Sequence, residues 1–368
     1  MSAALLFLLL VLLVVLAFEY INGFHDTANA IATVVSTKVL TPRQALLLAS
    51  SMNLLGAFSG TAVAKTIQSG LIDDKVVTVT SVTIFAAMLG AIIWNLVTWW
   101  FGMPSSSSHA LVGGLIGASM ASVQGSWNWH VLIWSRVKVD AKTGAQTMEG
   151  IFHKVVVPMF TSPVLGFGCG FVLMGLLFLL VRNWRPHLVS RIFSPLQILS
   201  AAYMGLGHGK ADAQKTMGVI ALTLYGATVS GGLNDLPAWL SFLKITDKQA
   251  PIPTWIVVTC AVVMAAGTWA GGWKIIQTLG HKMVRMQPIH GFAAETTAAT
   301  ILFVTGEMGM PVSTTHTITT SIMGVGAAKR WNSVKWALVE RILWAWVFTI
   351  PASAFMAWGT YKAVMWFR

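Results

Sequence analysis

Four side chains near the start of the chain could handle ions: Asn22, His25, Asp26 and Asn29. At i, i+3, i+4 and i+7 they share one face of a helix. The run before them, Ala3 to Phe18, is wholly apolar. A charge near the centre of a bilayer costs roughly 2.5–3.5 kcal/mol on insertion scales. A carboxylate, an imidazole and two amides in such a segment therefore face a cavity, an ion or a partner rather than lipid. Glu19 lies just before the interruption expected at Gly23.

The arrangement recurs. His208-Gly209-Lys210-Ala211-Asp212-Ala213-Gln214-Lys215 follows a second apolar lead-in. Laying Gly209 on Gly23 puts Asp212 on Asp26, an offset of 186 residues, about half of the 368. Lys215 then falls on Asn29, His208 on Asn22 and Ala211 on His25. A second pair of motifs also matches: Gly102-Met103-Pro104 followed by Ser105 to Ser108 and His109, and Gly309-Met310-Pro311 followed by Val312, Ser313, Thr314, Thr315 and His316. Proline is tolerated in the first turn of a helix, and Ser or Thr caps the free N–H groups there. Each hydroxyl motif thus marks a helix start, placed inside the membrane.

Composition sets the surroundings. Hydrophobic residues make up 55% and charged residues 10%, against about 25% charged in soluble domains. Mean hydropathy is +0.71. The apolar runs are continuous over about 20 residues, which favours helices over the alternating strands of a barrel. A net charge of +12 would suggest nucleic acid in a soluble protein. Here the basic residues sit in loops, where they set orientation and meet anionic lipid, so the bilayer is the partner and nucleic acid is not. Cys169 and Cys260 lie in apolar segments and give no disulfide framework or metal spacing. No Walker loop, GxGxxG or His-Glu-x-x-His is present, so no cofactor and no ATP chemistry are expected. The N-terminus lacks a basic leader region and does not look like a cleaved signal.

The fold expected is an all-α polytopic membrane protein of two inverted-topology repeats with broken or re-entrant helices. Residues 1–181 form the first repeat, with its Asp motif at 22–30 and its hairpin motif at 102–118. Residues 182–195 are a basic cytoplasmic linker. Residues 196–368 form the second repeat, with motifs at 208–215 and 309–326. Segment 3–36 is expected as a helix broken near Gly23. The polar stretch 124–153, with Asp140 to Gly144 in it, is expected as a surface loop or small flap. The loops at 37–43, 182–191, 274–285 and 329–335 are basic without acids, which puts them in the cytoplasm. Five crossings per half then invert the two repeats, the plan of many secondary transporters; a re-entrant hairpin at 104–124 is the alternative.

These motifs resemble those of the inorganic phosphate transporter (PiT) family. Gly23-Phe24-His25-Asp26-Thr27-Ala28-Asn29-Ala30 looks like the family's Gly-Ala-Asn-Asp-Val-Ala-Asn-Ala signature. Residues 311–317 match its hairpin motif, and Gly291-Phe292-Ala293-Ala294-Glu295 is similar to a third motif. The Gly-Phe-His-Asp form is closest to the bacterial low-affinity, proton-coupled branch. The resemblance spans nearly the whole chain. It implies a multi-pass protein of the bacterial inner (plasma) membrane and a homodimer. It also implies phosphate-binding hairpins at Ser105, Ser106, Ser107, Ser108, Ser313, Thr314 and Thr315, and a coupling cation around Asp26, Asn29 and Asp212.

The chemistry agrees. Phosphate needs several convergent donors, and two helix N-termini dressed with hydroxyls supply them without a full positive charge. Asp26 and Asp212 cannot touch phosphate unless protonated or bridged by a cation, so transport would be coupled to H+ or Na+. The second half departs from the signature at Ala211 and Lys215. A lysine there could fill a cation site, which favours protons. Glu295, in mid-span, is a further candidate proton carrier or cation ligand. Asn22, His25, His109, Gln214, Lys215 and His316 are expected in support, the last histidine and His109 as orienting groups for the hairpins. The expected function is phosphate import with protons by alternating access. Na+-coupled phosphate or sulfate transport, carriage of a metal–phosphate complex, and an anion channel are the alternatives. An enzyme is not expected, because the hydroxyls form symmetric caps with no preferred nucleophile.

Overall fold

In lipid every backbone polar group must be satisfied within the protein, so the long apolar runs fold as helices. The computed structural model describes residues 3–367 except 70, 74–75, 78, 124–127, 140–145, 235 and 249. Among the described residues the first half carries α1 (Ala3–Ser36), α2 (Pro42–Ala57), α3 (Ala62–Ser69), α4 (Ser81–Trp100), α5 (Ser107–Ser122) and α6 (Val157–Val181). The second half repeats the order with α7 (Pro186–Val229), α8 (Thr254–Ala270), α9 (Trp273–Gln277), α10 (Pro288–Glu307), α11 (Thr314–Lys329) and α12 (Trp336–Trp366). Among the described residues, four helical segments, Ala4–Ser36, Ser81–Trp100, Phe152–Val181 and Trp336–Trp366, are long and apolar enough to cross a membrane.

The breaks lie elsewhere than expected. Segment 3–36 is one unbroken helix. A Cβ on Gly23 would lie 2.5 Å from the Met264 carbonyl oxygen, so this glycine lets α8 approach α1 rather than interrupting it. The second Asp motif is likewise on an unbroken 44-residue helix, α7. That helix starts at Pro186, inside the stretch expected as linker, because proline suits a first turn. The bends fall in the second segment of each half: α2 meets α3 at 69°, and α8 meets the segment from Trp273 at 61°.

Stretch 124–153 is more than a loop. It holds a short 3-10 helix at Trp129–Val131 and an antiparallel hairpin of β1 (Arg136–Val139) and β2 (Gln146–Glu149). Arg136 and Glu149 pair across it at 2.9 Å. Asp140 to Gly144 lie outside the described residues.

The two halves exchange their hydroxyl-bearing helices. α5 of the first half packs on α12 of the second, and α11 of the second packs on α6 of the first. Glycine makes both contacts possible: a Cβ on Gly117 would sit 2.0 Å from the Ala354 carbonyl oxygen, and one on Gly324 would sit 2.1 Å from that of Phe167. The turns that lead into α5 and α11 are fastened the same way. Gly102 and Gly309 have φ of 64° and 63°. Their carbonyls accept hydrogen bonds of 2.8 Å from Thr278 and Thr66 respectively.

Candidate functional site

The Ncap positions of α5 and α11 are Ser106 and Ser313. Each hydroxyl accepts the backbone N–H three residues on, from His109 and His316, at 3.1 Å. Capping aims both helix N-termini at the middle of α1 and α7, where the two Asp motifs stand. Asp26, Asp212, Asn29, Lys215 and the hydroxyl residues of both motifs are all buried.

Around Asp26, the Ser107 hydroxyl donates to Oδ2 at 2.6 Å. His25 Nδ1 lies 2.6 Å from Oδ1, and the Thr315 hydroxyl reaches the same oxygen at 3.5 Å. His25 turns its other ring nitrogen to Thr98 at 3.2 Å and Ser105 at 3.4 Å. Ser105 donates to Thr98 at 2.7 Å. Asn29 donates to Thr314 at 3.2 Å and to Thr315 at 3.0 Å.

Around Asp212, Lys215 bonds Oδ1 one turn along the same helix, and Thr314 donates to Oδ2 at 3.2 Å. Lys215 also bonds the Ser108 hydroxyl and donates to the Val312 carbonyl at 3.2 Å. The hydroxyls of one motif thus touch charged groups of both halves. Asp26, Asp212 and His208 offer ligand atoms within 4.8 Å of one another, so the centre is acidic and compact enough for a cation. The Lys215 ammonium already neutralises Asp212 there.

Other expected residues serve from a distance. His109 and His316 lie behind the hairpins, edge to face at 4.7 Å, and His316 stacks on Trp346 at 3.8 Å. Trp346 donates to the Pro104 carbonyl at 2.9 Å, tying the histidine pair to the turn before Ser105. Gln214 accepts the Val63 N–H at 2.9 Å, at the bend between α2 and α3. Asn22 is buried on α1, one turn from Glu19. Glu295 stands apart from the two aspartates. It is held by the Thr33 and Ser200 hydroxyls, with Gln197 at 3.4 Å, and Gln197 accepts from Thr37 at 2.8 Å.

Several residues in the site were not singled out from sequence. His208 Nε2 lies 3.1 Å from Asp212 Oδ2, with its Nδ1 3.1 Å from the Asn53 amide oxygen. The i, i+4 spacing of His208 and Asp212 was a legible signal. Thr98, Ser200 and Trp346 gave none, being single polar groups in apolar helices.

Helices that cross a membrane and close two capped N-termini over a buried charged centre define a membrane transporter. The chain belongs to the phosphate transporter family, whose model matches residues 22–357. It is 40% identical over 354 residues to a Bacillus subtilis protein named "Probable low-affinity inorganic phosphate transporter", covering 96% of both chains. A Rhizobium meliloti protein of the same name is 43% identical over 365 residues, covering 97% of both. Among solved structures, "The sodium-dependent phosphate transporter" aligns with a TM-score of 0.78 at 22% identity, over 98% of this chain and 99% of that one; that likeness concerns the fold. The protein is a phosphate transporter, not an enzyme, and a multi-pass protein of the bacterial inner membrane.

Proposed function

We propose that the protein imports inorganic phosphate together with protons, by alternating access. The observation that carries this is the pairing of the hydroxyl motifs with the carboxylates. Ser107 donates its one hydrogen bond to Asp26, and Thr314 donates its own to Asp212. A hydroxyl has a single O–H to donate. Phosphate, an acceptor, must take those donors from the aspartates to bind between α5 and α11. Each aspartate that loses a donor in a buried site then gains a proton or a cation, since an uncompensated buried charge is costly. Binding of the anion and of the coupling ion is thereby linked.

Protons are favoured over Na+ by Lys215. Its ammonium already occupies the charged side of Asp212 and bonds Ser108 and the Val312 carbonyl. A metal ion between Asp26, Asp212 and His208 would have to compete with it. Glu295, bonded to Thr33 and to Gln197 next to Thr37, extends the polar path of α1 toward the basic loop 37–43. That loop, with 182–191, 274–285 and 329–335, lies on the cytoplasmic side in this proposal, and the two repeats have opposite topology. Because α5 and α11 are exchanged between the halves, the units that move combine helices of both repeats.

The test is labelled phosphate uptake into proteoliposomes with an imposed pH gradient and no Na+. Accumulation above equilibrium that is lost when the gradient collapses supports the proposal. Accumulation only on addition of Na+ moves the coupling to sodium. Equilibration without accumulation under either gradient makes the protein a channel.

A further inference from the structure

The polar residues of α1 do not stop at the Asp motif. Glu19, Asn22, Asp26, Asn29 and Thr33 recur at alternating steps of three and four, all of them buried. This is one continuous face of the helix. Glu19 is its acidic N-terminal member, about 10 Å above Asp26 along the axis.

The four fully buried carboxyl groups on these helices differ in how they are satisfied. Asp26 is met by Ser107, His25 and Thr315. Asp212 is met by Lys215, His208 and Thr314. Glu295 has Thr33 on one oxygen and Ser200 on the other. Glu19 has Thr216 on Oε2 and the Asn22 side chain close by, and its Oε1 has no hydrogen-bond partner. Asn22, within hydrogen-bonding reach of Glu19, has an unpartnered side-chain oxygen as well. A proton added to Glu19 Oε1 turns an orphaned buried acceptor into a donor.

The charges nearby point the same way. From α7, Asp212 and Lys215 act on Glu19, and from α8 the Cys260 thiol faces it. α4 carries no titratable side chain, and α2 has only the exposed Arg43 at its start. One ammonium, Lys215, therefore serves both Asp212 and Glu19. Phosphate entering beside them adds at least one more negative charge, and an unpaired buried charge does not persist.

We infer that Glu19 is a protonation site of the transport cycle: it takes one proton when phosphate binds and releases it when phosphate leaves. This inference rests on the proton-coupled reading and adds a residue outside the Asp and hydroxyl motifs. The step makes and breaks one O–H bond on the Glu19 carboxyl. The proton comes from water on the loading side and returns to water on the other, with no electron transfer.

Glu19→Gln tests it, because a carboxamide has the size of a protonated carboxyl and offers a donor where Oε1 lacks one. Two readouts are compared in proteoliposomes of wild type, Glu19→Gln and Glu19→Asp. One is exchange of labelled for unlabelled phosphate at equal pH, which needs no net proton movement. The other is accumulation under a pH gradient without Na+, with proton entry followed by an internal pH dye. The expected result is that Glu19→Gln retains exchange and loses accumulation, with one fewer proton entering per phosphate, and that Glu19→Asp restores accumulation. Accumulation by Glu19→Gln with an unchanged proton count overturns the inference alone. Loss of exchange together with accumulation, in a variant that elutes as a folded protein, also overturns it, by making Glu19 structural. If wild type itself ignores the pH gradient, the proton-coupled reading falls and takes this inference with it.

Discussion

Replacing Ser107 by alanine removes the shortest contact between a hydroxyl motif and a carboxylate. The Ser107 hydroxyl donates to Asp26 Oδ2 at 2.6 Å, and both side chains are buried. A hydrogen bond to a charged group is worth about 1.5–3 kcal/mol. Phosphate would use the same donor, so Ser107→Ala loses a bond in the empty and the loaded site alike, and the half-saturating phosphate concentration should rise by less than about tenfold, the equivalent of about 1.4 kcal/mol. Ser119→Ala is the control: Ser119 is buried on the same helix, away from its N-terminus, and its hydroxyl has no partner. The assay is initial phosphate uptake against concentration at two external pH values. Asp26 also loses a donor in Ser107→Ala, so its response to pH should change as well. A rise of about 100-fold, the full worth of a bond lost from the loaded site alone, or an unchanged pH response, would refute the shared-donor argument.

The other predictions rest on single contacts. Lys215→Gln breaks a buried pair with Asp212, at a cost of about 3–5 kcal/mol. Its thermal midpoint in detergent should fall sharply, and Asp212→Asn in the same chain should recover most of the loss. Thr66→Val and Thr278→Val each remove one hydroxyl-to-carbonyl bond at a hairpin turn. Each should cost about 1 kcal/mol in stability or in phosphate affinity, measured by thermal shift and by uptake. Trp346→Phe keeps a ring against His316 and loses the bond to the Pro104 carbonyl. It should be milder than Trp346→Ala in the same thermal assay, the difference reporting the stacking.

What could be read from the residues beforehand was mainly chemistry at short range. Asp212 and Lys215 at i, i+3 do pair, and the Ser and Thr motifs do start helices. The two-fold repetition of both motifs is matched by the order of the helices. Helix continuity was not legible at Gly23, because glycine both interrupts helices and lets them pack closely. Which role holds depends on Met264 of another helix, 241 residues on. The surroundings of Glu295 were hidden for the same reason, since Thr33, Gln197 and Ser200 arrive from α1 and α7. The exchange of α5 and α11 between the halves leaves no trace in local periodicity, because a helix start reads the same whichever partner it docks on.

That exchange constrains how the chain is made. α5 ends at Ser122, and its glycine face rests on α12, which begins at Trp336. A ribosome adding about 5–20 residues per second takes roughly 10–40 seconds to cover that interval. Throughout it, the first hairpin stands in the bilayer with its docking face uncovered. Assembly of the first hydroxyl cluster therefore waits for the last helix to be translated. A chain stopped before α12 holds nearly every site residue and still cannot close the site.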